Sequence, residues 1–99
     1  MNKESRRSPR VALVHPLRVR FGDEVTQAES VTVNAHGALI HSPVPMYLGT
    51  RLVVVNQRTG HTARAWVVWG READRPGLHA AGIEFLQAAP HFWGPAYRP

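Results

Sequence analysis

Three arginines near the start of the chain have the residue type and spacing that best fit a chemical role. Arg6 and Arg10 are four residues apart, Arg7 lies between them, and the first ten residues carry one apolar side chain. A guanidinium group is a planar fork of N–H donors that matches phosphate oxygens and the edges of bases. The spacing therefore predicts an anion-binding leader that is mobile until it binds, and the competing interpretation is a solvated basic tail.

A second candidate lies in an apolar stretch over residues 31–40. Thr32 and Asn34 alternate with valines, and Gly37 interrupts the pattern before the apolar run resumes. An amide offers donors and acceptors, a hydroxyl offers fewer contacts, and glycine permits a positive φ or the close approach of a ligand. Asn34 and Gly37 are equally typical of a turn that serves only the backbone.

No other pattern predicts catalysis or metal binding. The six histidines, at positions 15, 36, 41, 61, 79 and 91, include no pair at helical spacing, and the chain has no HExxH motif and no cysteine. There is also no Walker loop and no GxGxxG motif. We therefore expect neither an enzyme nor a protein that carries a metal or cofactor.

The composition indicates one small domain. The chain has 99 residues, with 12 basic and 7 acidic side chains for a net charge of +5, and 11 of the basic residues are arginine. Its apolar runs are far shorter than the roughly 20 residues that a membrane helix needs, and the charged N-terminus lacks the apolar core of a signal peptide. We therefore expect a cytoplasmic protein.

The elements that must position these residues are short strands. Period-two alternation and turn residues predict strands at 17–21, 31–34, 38–40, 51–56, 61–69 and 78–85, with a hairpin turn at 57–60 and one helical turn at 86–89. In a regular strand Trp66 and Trp69 lie on opposite faces, which predicts that one of them is in the core. The pattern predicts an all-β fold, a small six-stranded antiparallel barrel over 11–99 with a short C-terminal tail, preceded by a flexible leader over 1–10.

Together these features resemble the PilZ domain, a bacterial β-barrel module that binds cyclic di-GMP. The family carries an RxxxR motif in the leader and a [DN]xSxxG motif where the second strand meets the third. Arg6 and Arg10 match the first motif, and Gly82-Ile83-Glu84-Phe85 looks like the closing strand of the family. The resemblance extends from Arg6 to about Phe85.

The second motif is degenerate, and its alignment has two solutions. Counting back from Gly37, the [DN] position falls on Thr32 and the Ser position on Asn34. Alternatively, Asn34 is the [DN] residue after a two-residue deletion, and His36 lies near the Ser position. In either alignment, one wall of the binding site is formed by the junction between these strands.

The resemblance implies a cyclic di-GMP receptor, active in second-messenger signalling, that acts on a protein partner when its leader becomes ordered. The implied ligand-binding residues are Arg6, Arg7, Arg10, Thr32, Asn34 and Gly37, with the arginines on phosphate and guanine. One alternative is a PilZ domain that has lost the nucleotide and serves as a protein-interaction module. Another is a basic barrel that binds RNA or single-stranded DNA, although no aromatic stacking platform lies between the basic residues.

Overall fold

The computed structural model describes residues 9–98, and within them the fold consists of β-strands and one short 3-10 turn. The strands are β1 (Val11–Ala12), β2 (Pro16–Phe21), β3 (Glu24–Asn34), β4 (Gly37–Ser42), β5 (Arg51–Asn56), β6 (Thr62–Glu72) and β7 (His79–Phe85), followed by the 3-10 turn Gly94–Ala96. No helix in this part of the chain is long and apolar enough to cross a membrane.

Six of the strands form a closed antiparallel barrel, as the sequence predicts. The order is β1-β3-β2-β5-β6-β7-β4, and the additional pairing of β3 with β4 closes the ring from β2 to β7. Alternate side chains point inward, and the buried set includes Leu17, Val19, Val33, Ile40, Leu52, Val54, Ala65, Val67, Ile83 and Phe85. Because side chains alternate along each strand, the apolar set lies in the core of the barrel and the polar set lies on its outer wall.

Strand β1 is the element that sequence reasoning missed. It pairs with β3 through Val11↔Val33 and Ala12↔Thr32, on the side of β3 that β2 occupies further along. The pairing attaches the end of the leader to the barrel immediately beside the second motif. The signal in the sequence is the short apolar run that begins at Val11.

Two strands are longer than predicted, because their polar ends still form backbone hydrogen bonds with neighbouring strands. Strand β3 begins at Glu24 rather than at Val31, and its first residues pair with β2 across the turn at Gly22 (φ 58°). Strand β6 continues to Glu72 rather than ending at Trp69, since its last residues pair with β7.

The prediction that Trp66 and Trp69 lie on opposite faces is wrong. Trp66 pairs with Glu84 and Trp69 pairs with Gly82, so Val68 is an extra residue in a β-bulge. The bulge shifts the alternation by one residue and places both indoles on the outer wall. Neither ring belongs to the core.

The C-terminal segment closes one end of the barrel. Phe92 and Trp93 are buried, with ring centroids 4.7 Å apart, so this segment packs back on the barrel. The helical turn predicted at 86–89 is absent. Instead, two backbone hydrogen bonds fix this segment against the barrel: the Leu86 N–H donates to the carbonyl of Arg64 at 3.0 Å and the Ala89 N–H to the carbonyl of Ala35 at 2.8 Å.

Candidate functional site

A groove of about 120 Å³ runs over the outer wall where β3, β4, β7 and β6 lie side by side. It brings together residues that are far apart in the sequence. Those that bear on its chemistry are Arg10, Thr32, Asn34, Gly37, Trp69 and Glu84. Four of these are predicted site residues, whereas Trp69 and Glu84 are not.

Arg10 reaches the groove because β1 aligns the chain against β3. The antiparallel register pairs Val11 with Val33, so the preceding residue, Arg10, lies next to Asn34. Its side chain is exposed and lines the groove. Arg6 and Arg7, the other arginines of the predicted site, lie outside the described residues.

Thr32 supplies a polar atom without a partner. Its Oγ1 is inaccessible to solvent and makes no hydrogen bond with any residue that the structure describes. Leaving such a group unsatisfied costs about 1–3 kcal/mol. Other atoms of Thr32 line the groove, and the hydroxyl lies just beneath that surface.

Asn34 and His36 form the tight turn between β3 and β4. The Asn34 Oδ1 accepts a hydrogen bond of 2.8 Å from the backbone N–H of His36, and the Asn34 carbonyl accepts one of 2.9 Å from Trp93 Nε1. This confirms the turn-forming role that the sequence left open for Asn34. Both Asn34 and His36 line the groove.

Gly37 is required by the packing of the strands and not by a left-handed backbone. Its φ is not positive, and a Cβ built on it would overlap the backbone oxygen of Ile83 on β7. The absence of a side chain therefore lets β4 and β7 approach closely at the floor of the groove.

Trp69 and Glu84 form the wall of the groove opposite Arg10. The Trp69 indole lies over Gly82, where a Cβ would overlap Nε1, and the Arg71 guanidinium lies 5.2 Å from its ring centroid. Glu84 is exposed and is the one acidic residue in the lining. Trp69 was missed because the sequence gives no sign of the bulge that turns it outward.

The described residues offer no arrangement for a metal ion. No group of three or more histidine, aspartate or glutamate side chains within residues 9–98 is placed to hold one. The groove instead combines one guanidinium, one hydroxyl, one carboxylate and an indole. These are groups that recognise a small polar molecule by hydrogen bonds and stacking.

Comparison with known families agrees with the fold. No curated protein matches the sequence. The family model of the PilZ domain matches residues 4–91, which include the leader arginines, the groove and all seven strands. PilZ domains are generally binding and adaptor modules for cyclic di-GMP and not enzymes, and this chain belongs to the PilZ domain family.

Proposed function

We propose that the groove binds cyclic di-GMP and that binding draws the leader, residues 1–10, onto the barrel. The observation that carries the proposal is the position of Arg10: β1 places this leader arginine in the same groove as Thr32, Asn34 and Gly37. One arginine of the first motif therefore faces the same cavity as residues proposed for the second motif.

The groups in the groove suit the two kinds of chemistry that the ligand presents. The guanidinium of Arg10 can donate two parallel hydrogen bonds to a phosphate or to guanine O6 and N7. A small shift of the groove wall on binding would expose the hydroxyl of Thr32, which lacks a partner among the described residues, and give it one in the ligand. Glu84 would repel a phosphate but accept from the exocyclic amino group of guanine, which assigns the phosphates to the side of Arg10.

The leader provides the response to the ligand. Arg6 and Arg7 would follow Arg10 over the bound nucleotide and add charge-assisted hydrogen bonds. Ordering this segment costs conformational entropy, but it changes the surface of the domain, and a protein partner can detect that change. In this role the domain is a cytoplasmic second-messenger adaptor.

The test is a calorimetric titration of the full chain with cyclic di-GMP, with GTP and linear pGpG as control ligands. We expect saturable binding of the cyclic dinucleotide that is lost in Arg6→Ala and Arg10→Ala. Removing one hydroxyl in Thr32→Val should weaken binding by roughly five- to tenfold, the equivalent of one hydrogen bond of about 1 kcal/mol. Arg75→Ala is the matched control, because it removes an exposed arginine outside the groove.

Two results would overturn the proposal. One is the absence of heat from a folded sample at high ligand concentration. The other is an equal loss of affinity in Arg75→Ala, which would indicate attraction by net charge alone.

The second candidate function is a PilZ domain that binds a protein without binding the nucleotide. Asn34 favours it, because its Oδ1 is held by the turn and is directed to the backbone of His36. A folded protein that gives no heat with cyclic di-GMP but binds an acidic peptide, as tested below, would support this function.

A further inference from the structure

Three arginines meet on the wall of the barrel formed by β2, β5 and β6. Arg20 and Arg64 both flank Val53, since Val53 pairs with each of them across the sheet, and Arg51 precedes Val53 by two residues on the same face. They line a groove of about 310 Å³. We call these three arginines, with Val25, Val53 and Leu86, the arginine face.

No counter-charge from residues 9–98 neutralises the arginine face. The lining of its groove contains no acidic residue, and none of the three guanidinium groups forms an ion pair with another residue of the described chain. Like charges so close together on one sheet disfavour the fold when they have no counter-charge. An external anion would remove this repulsion.

The arginine face also exposes aliphatic surface. Val25, which pairs with Arg20 across the sheet, is 58% exposed, and Leu86, whose N–H bonds to the carbonyl of Arg64, is 39% exposed. Arg51 is held from the other side by Trp66, whose ring centroid is 5.0 Å from the guanidinium carbon. Arginine beside partly exposed apolar side chains is the composition typical of protein interfaces.

We infer that the arginine face docks an acidic segment of a partner protein whose apolar side chains cover Val25, Val53 and Leu86. A nucleic acid fits less well, because bases require an exposed aromatic ring to stack on. The one indole at this wall, Trp66, is half-buried and has Arg51 over it. The inference deepens the partner role proposed above by giving the partner's chemistry and its position.

The arginine face and the nucleotide groove are centred on different walls of the barrel, although each includes residues of β6. The groove is centred on β4, and the arginine face is centred on β5, which is three strands away in either direction around the closed ring. A partner on the arginine face therefore leaves the nucleotide groove open. The two ligands should occupy the domain together without competing.

The experiment measures fluorescence anisotropy of a short labelled peptide of repeated Glu-Leu-Glu with the full chain. The same peptide with Gln for Glu, and a labelled oligothymidylate, are the comparison probes. The test variant is Arg20→Gln with Arg64→Gln, and the matched control is Arg75→Gln with Arg98→Gln, which removes the same charge from exposed positions elsewhere. All proteins are also titrated with cyclic di-GMP.

We expect the Glu-Leu-Glu peptide to bind saturably, the Gln version to bind at least about tenfold more weakly, and the test variant to lose binding by about tenfold or more. The control variant should change the affinity less than about threefold. Cyclic di-GMP titrations should be alike for the test variant and the unmodified chain. If neither the test variant nor the unmodified chain binds cyclic di-GMP, the proposed function is wrong, but the inference about the arginine face still stands on the peptide titrations.

Three results would overturn the inference. They are absence of peptide binding, an equal loss in both double variants, and tighter binding of oligothymidylate that the test variant abolishes. The last would assign the arginine face to single-stranded nucleic acid.

Discussion

At the scale of single residues, two buried polar side chains differ in whether the protein satisfies them. Thr32 Oγ1 has no partner among residues 9–98. His15 is 5% exposed and is satisfied, because its Nδ1 lies 3.0 Å from the Asn56 Nδ2, which can only donate. His15 is therefore held as the neutral tautomer with the proton on Nε2.

Because His15 is neutral in the folded protein, acid should destabilise the fold. Burial is the largest effect that lowers the pKa of His15 below its ordinary value of 6.5, and the positive charge of Arg58 lowers it further. Between the folded pKa and 6.5 the unfolded chain binds more protons, so the free energy of unfolding falls as pH falls through that window. Urea denaturation at about pH 7.5 and about pH 5.5 measures this fall in the free energy of unfolding.

The control for the pH effect is another histidine. His15→Gln should flatten the dependence of the urea midpoint on pH, whereas His61→Gln, at an exposed position, should leave the slope as it is. An unchanged slope in His15→Gln would assign the dependence to other groups.

At the scale of elements, the groove depends on the contact between β6 and β7. The bulge at Val68 turns Trp69 outward, and Gly82 leaves the space that the indole occupies. Gly37 has the corresponding role between β4 and β7, but there the neighbouring atom is a backbone oxygen. The two glycines therefore differ in how their surroundings can adapt to a side chain.

Alanine substitution at each glycine measures how far its surroundings can adapt. Gly82→Ala should lower the free energy of unfolding by roughly 1–3 kcal/mol, because its methyl group displaces the indole. In a Trp69→Ala background the same substitution should cost much less, since the atoms it meets are gone. Chemical denaturation of both single variants and the double variant tests the coupling.

Gly37→Ala is the matched comparison for the double-mutant cycle of Gly82→Ala and Trp69→Ala. Its methyl group meets the backbone of Ile83, so removing Trp69 should not reduce its cost. Equal costs of Gly82→Ala with and without Trp69 would contradict the proposed contact.

At the scale of the whole molecule, the C-terminal segment links the core to the groove. Trp93 is fully buried, 6.1 Å from Phe85 between ring centroids, and its Nε1 donates to the carbonyl of Asn34 at the turn beside the groove. The same residue thus closes the barrel and holds the turn that carries the second motif.

Substitution of Trp93 separates these two roles. Trp93→Ala should lower the free energy of unfolding by about 3–5 kcal/mol, the usual cost of deleting a large buried aromatic. Trp93→Phe keeps most of the packing and loses the hydrogen bond, so it should cost less in denaturation but still weaken cyclic di-GMP binding. Unchanged affinity in a folded Trp93→Phe protein would show that the turn does not need this bond.

Local pattern was enough to predict much of the barrel. The alternation of Leu17, Val19 and Phe21, and that of the strands near Val33 and Val54, follows from the two-residue period of a strand with one buried face. The RxxxR spacing and Gly37 were visible as candidate site residues because their residue types matter chemically wherever they lie. The family resemblance rests on the same local features.

Other features depended on contacts between distant parts of the chain. The pairing of β1 with β3 brings Arg10 to Thr32, and the bulge at Val68 turns Trp69 into the groove. The same register across β2, β5 and β6 gathers Arg20, Arg51 and Arg64 on one wall, although they are scattered in the sequence. Strand alternation tells which side chains share a face, but only the register between strands decides which of them become neighbours.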